Sequence, residues 1–120
     1  QMNMQELGVA LQYGVGVVVL VFNNGMWGTI RAHQERDFPG RETALRFTNP
    51  AFARLAAAYE GFGKVVDHID DFEVAFRQAL AFAEEHQRPA ILELRYDANG
   101  IAPGILLSDI QRKALEERRA

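Results

Sequence analysis

"VVVLVFNNGMWGTI", residues 17–30, decides how the rest of the chain is read. An unbroken β-branched and aromatic run, Val17 to Phe22, stops at paired asparagines, a glycine, a methionine and Trp27. Such runs suit strands buried on both faces, as in parallel sheets. Two readings of Asn23-Asn24-Gly25 follow. Asn-Gly after a strand is a good turn. Alternatively, the amides hold a ligand, because ligands of open parallel sheets bind just beyond the carboxyl ends of the strands. An asparagine oxygen is a hard, neutral donor suited to Mg²⁺ or Ca²⁺, and Mg²⁺ commonly bridges a few protein oxygens to phosphate oxygens. A diphosphate brings its own negative charge, so a neutral amide serves there. Gly25 lets the backbone turn sharply, so that a carbonyl just beyond also faces the metal.

Outward from this stretch, the hydrophobic periodicity orders the chain. Met4, Leu7, Ala10 and Leu11 predict a helix over 2–13, ended by Gly14 in a left-handed conformation. A mostly polar helix is predicted from Trp27 to Asp37, broken by Phe38-Pro39-Gly40. Asn49-Pro50 reads as N-cap and first helical residue, with a buried stripe of Phe52, Leu55, Ala56 and Tyr59 ended by Gly61. "FGKVVDH" predicts a short strand. Asp70 with Glu73 predicts a capping box before a helix that buries Phe72, Phe76, Ala79, Leu80 and Ala83. "AILELRY" predicts a strand with partial alternation. The order α, β, α, α, β, α, β implies a three-layer α/β/α fold with a mainly parallel sheet. After Tyr96, "DANGIAPGILL" is loop-like. Ser108 and Gln111 match a second capping box, and "DIQRKALEERRA" predicts a short polar surface or packing helix. Residues 1–97 are thus expected to form one domain and 98–120 a C-terminal loop and helix.

Composition narrows the function classes. The chain has 120 residues, enough for one real core and too few for two domains. A net charge of −3 argues against nucleic acid or an anionic membrane as the main partner. The absence of cysteine excludes disulfides, thiolate metal sites and cysteine nucleophiles, and it is compatible with a reducing, cytoplasmic location. The apolar run ending at Phe22 is far short of the roughly 20 residues that span a bilayer.

A helix, a buried strand and then "NNGMWGTIR" resemble the second half of the thiamine diphosphate binding motif of the thiamine diphosphate-dependent decarboxylases and carboligases. The likeness continues through "GTIRAHQERDFPGR", "NPAFARLAAAYEGFG" and "RPAILELRYD", and is nearest to the acetolactate-synthase-like bacterial members. It covers residues 1–97. The resemblance implies thiamine diphosphate and Mg²⁺ as cofactors, with the Asn24 side chain and the Met26 carbonyl as metal ligands. Gly25 and Trp27 complete the expected cofactor-binding set. The family's motif opens with Gly-Asp-Gly, whose Asp is the charged metal ligand. By that comparison it would precede Gln1 by a few residues, so the chain reads as a piece of a longer protein, with its sheet incomplete at the N-terminus.

The function expected from this resemblance is part of the diphosphate and metal anchor of an enzyme acting on 2-oxo acids, by acetolactate synthase-like carboligation or by decarboxylation. The family's catalytic glutamate comes from another domain of a neighbouring subunit, so no residue here is assigned a catalytic role, and the chain alone is expected to be inactive. An exposed sheet edge predicts self-association, and a homo-oligomer is expected. The competing reading is a small non-catalytic α/β interaction domain in which Asn23-Asn24 is only a turn.

The remaining candidates have plainer readings. Trp27 either lines a cofactor or substrate cavity or, as a helix-start aromatic, packs on the sheet. "RAHQERD" reads as a solvated helix face, with a partner-subunit role as the functional option. His33, His68 and His86 show no zinc spacing and read as surface residues. Glu84-Glu85 reads as solvated, and Ser108 has no histidine and acid arrangement around it.

Overall fold

The structure, a computed structural model, describes residues 2–119; Gln1 and Ala120, the latter the end of the expected terminal helix, lie outside them. Where length predicts a single core, the chain folds as two compact units. The first combines the described residues up to Asn23 with Asn49–Arg95, and the second combines Asn24–Thr48 with the described residues from Tyr96 onward. The expected division at residue 97 follows linear order, whereas each of these units draws on two segments.

The first unit holds α1 (Glu6–Tyr13), β1 (Val18–Asn23), α3 (Phe52–Ala58), β2 (Phe62–Val66), α4 (Phe72–His86) and β3 (Ala90–Arg95). The second holds α2 (Gly28–Asp37), β4 (Gly100–Ala102), β5 (Ile105–Leu106) and α5 (Leu107–Glu117). In the first unit the sheet order is β1-β3-β2, all parallel, with Val18 opposite Ala90 and Asn23 opposite Arg95. Side chains of β3 alternate between two cores. Ile91 joins Leu7, Phe52 and Ala56 on the side of α1 and α3. Ala90 and Leu92 join Val66, Ala75, Ala79 and Ala83 on the side of α4. Helices therefore cover both faces, as the α/β reading requires.

Several local expectations are corrected. α1 starts at Glu6 rather than Met2, because residues 3–5 accept short-range bonds three residues on, closing tight turns ahead of the helix. Burial on both faces belongs to the central strand β3, not to β1: Leu20 is 37% exposed and Phe22 70% exposed, since β1 lies at the sheet edge and α4 packs mainly over β2 and β3. α3 begins at Phe52, and neither Asn49 nor Pro50 starts it. Asn49 instead donates its amide to Asn23 Oδ1 at 2.7 Å. Asp70 caps nothing; a 3₁₀ turn, Ile69–Asp71, leads into α4, and Glu73 pairs with Arg77 at 2.6 Å. The buried stripe of α4 is Ala75, Ala79 and Ala83, with Phe72 and Phe76 packed beside it, while Leu80 is 37% exposed.

In the second unit the loop-like stretch after Tyr96 contains an antiparallel hairpin, β4 with β5. Ser108 and Gln111 do not form a capping box. Asn99 caps α5: its backbone carbonyl accepts from Leu107 N–H at 2.8 Å and its Oδ1 from Ser108 N–H at 2.9 Å. No helix among the described residues is long and apolar enough to cross a membrane.

Candidate cofactor and metal site

β1 delivers Asn23 to the carboxyl end of the sheet, and the asparagine pair then divides. Asn23 Nδ2 donates to Glu93 Oε1 at 2.9 Å while its Oδ1 accepts from Asn49. Glu93 lies on β3 and is 1% exposed. Its Oε1 also accepts from Arg95 Nε at 3.0 Å, and its Oε2 from the Ala53 N–H at 3.3 Å, at the start of α3. Burial pushes the Glu93 carboxyl up. The hydrogen bonds from Asn23, Arg95 and Ala53, with the Arg95 charge, outweigh that and hold it below its ordinary value. This network belongs wholly to the first unit and gives the first asparagine an internal structural role.

Asn24 opens the second unit. Its Oδ1 accepts the Met26 N–H at 3.2 Å, bending the backbone over Gly25, whose φ of 68° is a left-handed conformation that gives the sharp turn expected there. Met26 then bridges Arg46 in antiparallel fashion. The flanking bonds are Phe47 N–H to the Gly25 carbonyl at 3.1 Å and Trp27 N–H to the Leu45 carbonyl at 3.0 Å. In such a ladder the residue between the bonded pairs turns its own N–H and C=O the other way. The Met26 carbonyl and the Asn24 amide oxygen, which meets the Met26 N–H, therefore lie on one edge of the loop. Among the described residues the Met26 carbonyl accepts no hydrogen bond.

Gly28 makes room for this arrangement. A Cβ there would stand 3.0 Å from Asn24 Nδ2 and 3.5 Å from Ile101 Cδ1. The amide thus turns its nitrogen toward the start of α2 and its oxygen toward Met26. Trp27 stands at the head of α2. It is 59% exposed and stacks obliquely on Phe47, centroids 5.3 Å apart. "RAHQERD" is not simply a solvated face either, since Glu35 is 3% exposed and Arg31 lies beside it. His33, His68, His86, Glu84 and Glu85 are all exposed.

The donor chemistry fits a hard divalent cation in part. Two neutral oxygens share an edge, each with a lone pair available, and Mg²⁺ accepts such ligands alongside phosphate oxygens. No group of three or more His, Cys, Asp or Glu among the described residues gathers for a metal. The two oxygens are therefore partial ligands that need further donors to complete a coordination shell. Sequence reasoning proposes Asn24, Gly25, Met26 and Trp27. It missed Gly28, Asn49, Glu93 and the charges around Arg31. Of these only Gly28, a glycine at a helix start, left any local signal.

The sequence family described as thiamine pyrophosphate enzyme, C-terminal TPP binding domain, matches residues 1–94. The chain belongs to this family. Thiamine pyrophosphate is thiamine diphosphate, so the domain is of the type that binds this cofactor. An acetolactate synthase of Arthrospira platensis is 37% identical over 117 residues, covering 92% of this chain and 20% of that protein. The acetolactate synthase isozyme 3 large subunit of Escherichia coli K12 is 37% identical over 81 residues, covering 67% of the chain and 14% of that protein. A sulfoacetaldehyde acetyltransferase of Alcaligenes xylosoxydans xylosoxydans is 28% identical over 93 residues, covering 78% and 15%. The TPP-binding domain described here spans a fifth or less of the length of these relatives.

Proposed function

We propose that this domain anchors the diphosphate of thiamine diphosphate through Mg²⁺, in an enzyme that acts on 2-oxo acids by acetolactate synthase-like carboligation or by decarboxylation. The observation that carries the reading is the shared edge on which the Asn24 amide oxygen and the Met26 carbonyl lie. In this reading both are metal ligands. Gly25 supplies the bend that aims them, and Trp27, exposed at the head of α2, lies against the cofactor. Residues 1–97 carry the anchor and 98–120 follow as a C-terminal loop and helix. The parent protein is a cytoplasmic homo-oligomer.

Thiamine diphosphate, when bound, supplies the electron sink that such chemistry needs. The residues of this chain bind and orient it. The relatives are named for acetolactate synthesis and for sulfoacetaldehyde acetyl transfer. One kind of domain thus accompanies differently named reactions, which supports placing substrate choice outside it.

The test is Asn24→Ala in the full-length protein, with Mg²⁺ affinity measured by calorimetry at saturating thiamine diphosphate. A weakening of tenfold or more is expected, the scale on which even indirect support of a metal ligand acts. Unchanged affinity would return Asn23-Asn24-Gly25 to the status of a turn.

A further inference from the structure

We infer that Arg31, Glu35, Glu42 and Arg46 form a charged brace that sets the register of the Gly25–Trp27 edge, making them positioning residues for the proposed metal ligands; this rests on the diphosphate-anchor reading. The brace lies entirely within the second unit. It begins on α2, where Glu35 Oε2 accepts the Gly40 N–H at 2.8 Å and Glu35 Oε1 faces Arg31 Nε at 3.8 Å. It continues from Arg31 Nη2 to Glu42 Oε2 at 3.2 Å, and from Glu42 Oε1 to Arg46 Nε at 2.9 Å. Two of its members, both arginines, return to Met26. Arg31 Nη1 donates to Met26 Sδ at 3.6 Å, and Arg46 is the residue bridged to Met26. The charges balance, with two cations and two anions.

The physical need for such a brace follows from the shortness of the ladder. Two backbone bonds join residues 25–27 to residues 45–47. A one-residue slip would keep as many bonds yet turn the Met26 N–H and carbonyl to the opposite side, away from the Asn24 amide. An apolar cluster of similar volume would tolerate that slip. The Arg31–Glu42 pair resists it, because it ties α2 to the loop that carries Arg46, while the i,i+4 pairs Arg31–Glu35 and Glu42–Arg46 hold each segment in shape. The cost of burying the Glu35 and Arg31 charges is accepted for geometry: Glu35 is 3% exposed, and the buried Arg31 Nε has no hydrogen-bond partner among the described residues. The positions of residues 40, 42 and 46 in the loop are thereby tied to the face of α2 beside Met26.

The experiment uses the full-length protein with Arg31→Met, with the near-isosteric Glu42→Gln, and with each combined with Asn24→Ala. Mg²⁺ affinity is read by calorimetry at saturating thiamine diphosphate, and apoprotein melting is read alongside. Each brace variant is expected to weaken Mg²⁺ binding about tenfold. Combination with Asn24→Ala is expected to add much less than the product of the two losses, since both act on one pair of oxygens. If Arg31→Met does not fold, Glu42→Gln decides. If brace variants bind Mg²⁺ like the parent while Asn24→Ala does not, or if the losses simply multiply, the brace is overturned and the anchor stands. If Asn24→Ala itself has no effect, the anchor falls and the brace with it.

Discussion

Both ends of the Asn23 amide are engaged inside the first unit, between Glu93 and Asn49, while the next residue turns its oxygen to the Met26 loop. Nothing in the dipeptide distinguishes these roles. The partner that assigns them, Glu93, is seventy positions away and becomes a neighbour only through the register that sets β1 beside β3. A carboxylate buried this fully and held below its ordinary pKa has a pH signature. The folded value is depressed relative to the unfolded one, near 4.3. Its stabilisation is therefore complete above the unfolded value and disappears as pH falls through the folded one. Glu93→Gln should lower stability near neutral pH by about 2 kcal/mol, the scale of hydrogen bonds to a charged group. It should also flatten the acid side of the stability curve, measured by denaturant unfolding from about pH 7 down to about pH 3. If the variant loses stability on acidification as steeply as the parent, another carboxylate is responsible.

At the scale of elements, periodicity carried the helices and strands of the sheet layer, because each of its helices turns one apolar face to the sheet and the central strand is apolar on both faces. Ends were less legible than middles. Asn49-Pro50, Asp70 with Glu73, and Ser108 with Gln111 all have the local form of helix starts, yet none caps a helix. In each case a competing interaction takes the side chain or supplies the cap. Asn49 goes to Asn23, Glu73 to Arg77, and Asn99 occupies the head of α5 from across the β4–β5 hairpin. The hairpin itself was hidden by its shortness, since β5 has two residues and no alternation to read. The α5 cap is testable by contrast. Asn99→Ala should cost about 1 kcal/mol, the usual value of a lost N-cap. Gln111→Ala should leave stability unchanged within about 0.5 kcal/mol. Equal losses in thermal or denaturant unfolding would reinstate the capping box.

For the molecule as a whole, the donor inventory limits what these residues do alone. The proposed site offers a side-chain amide and a backbone carbonyl, both neutral. No acidic cluster gathers among the described residues to share a cation. Mg²⁺ requires near-octahedral oxygen coordination and gives up water reluctantly, so two neutral ligands on one loop edge hold it weakly even with a diphosphate present. The histidines are exposed, and the buried carboxylates Glu35 and Glu93 are already committed to hydrogen bonds within their units. The 120-residue chain by itself should therefore show no turnover of a 2-oxo acid with thiamine diphosphate and Mg²⁺ supplied, while the full-length protein turns over under the same conditions. Product formation followed by chromatography is the measurement. A rate above the uncatalysed background from the chain alone, lost on Asn24→Ala, would mean that these residues hold a complete catalytic set and that the division of labour argued here is mistaken.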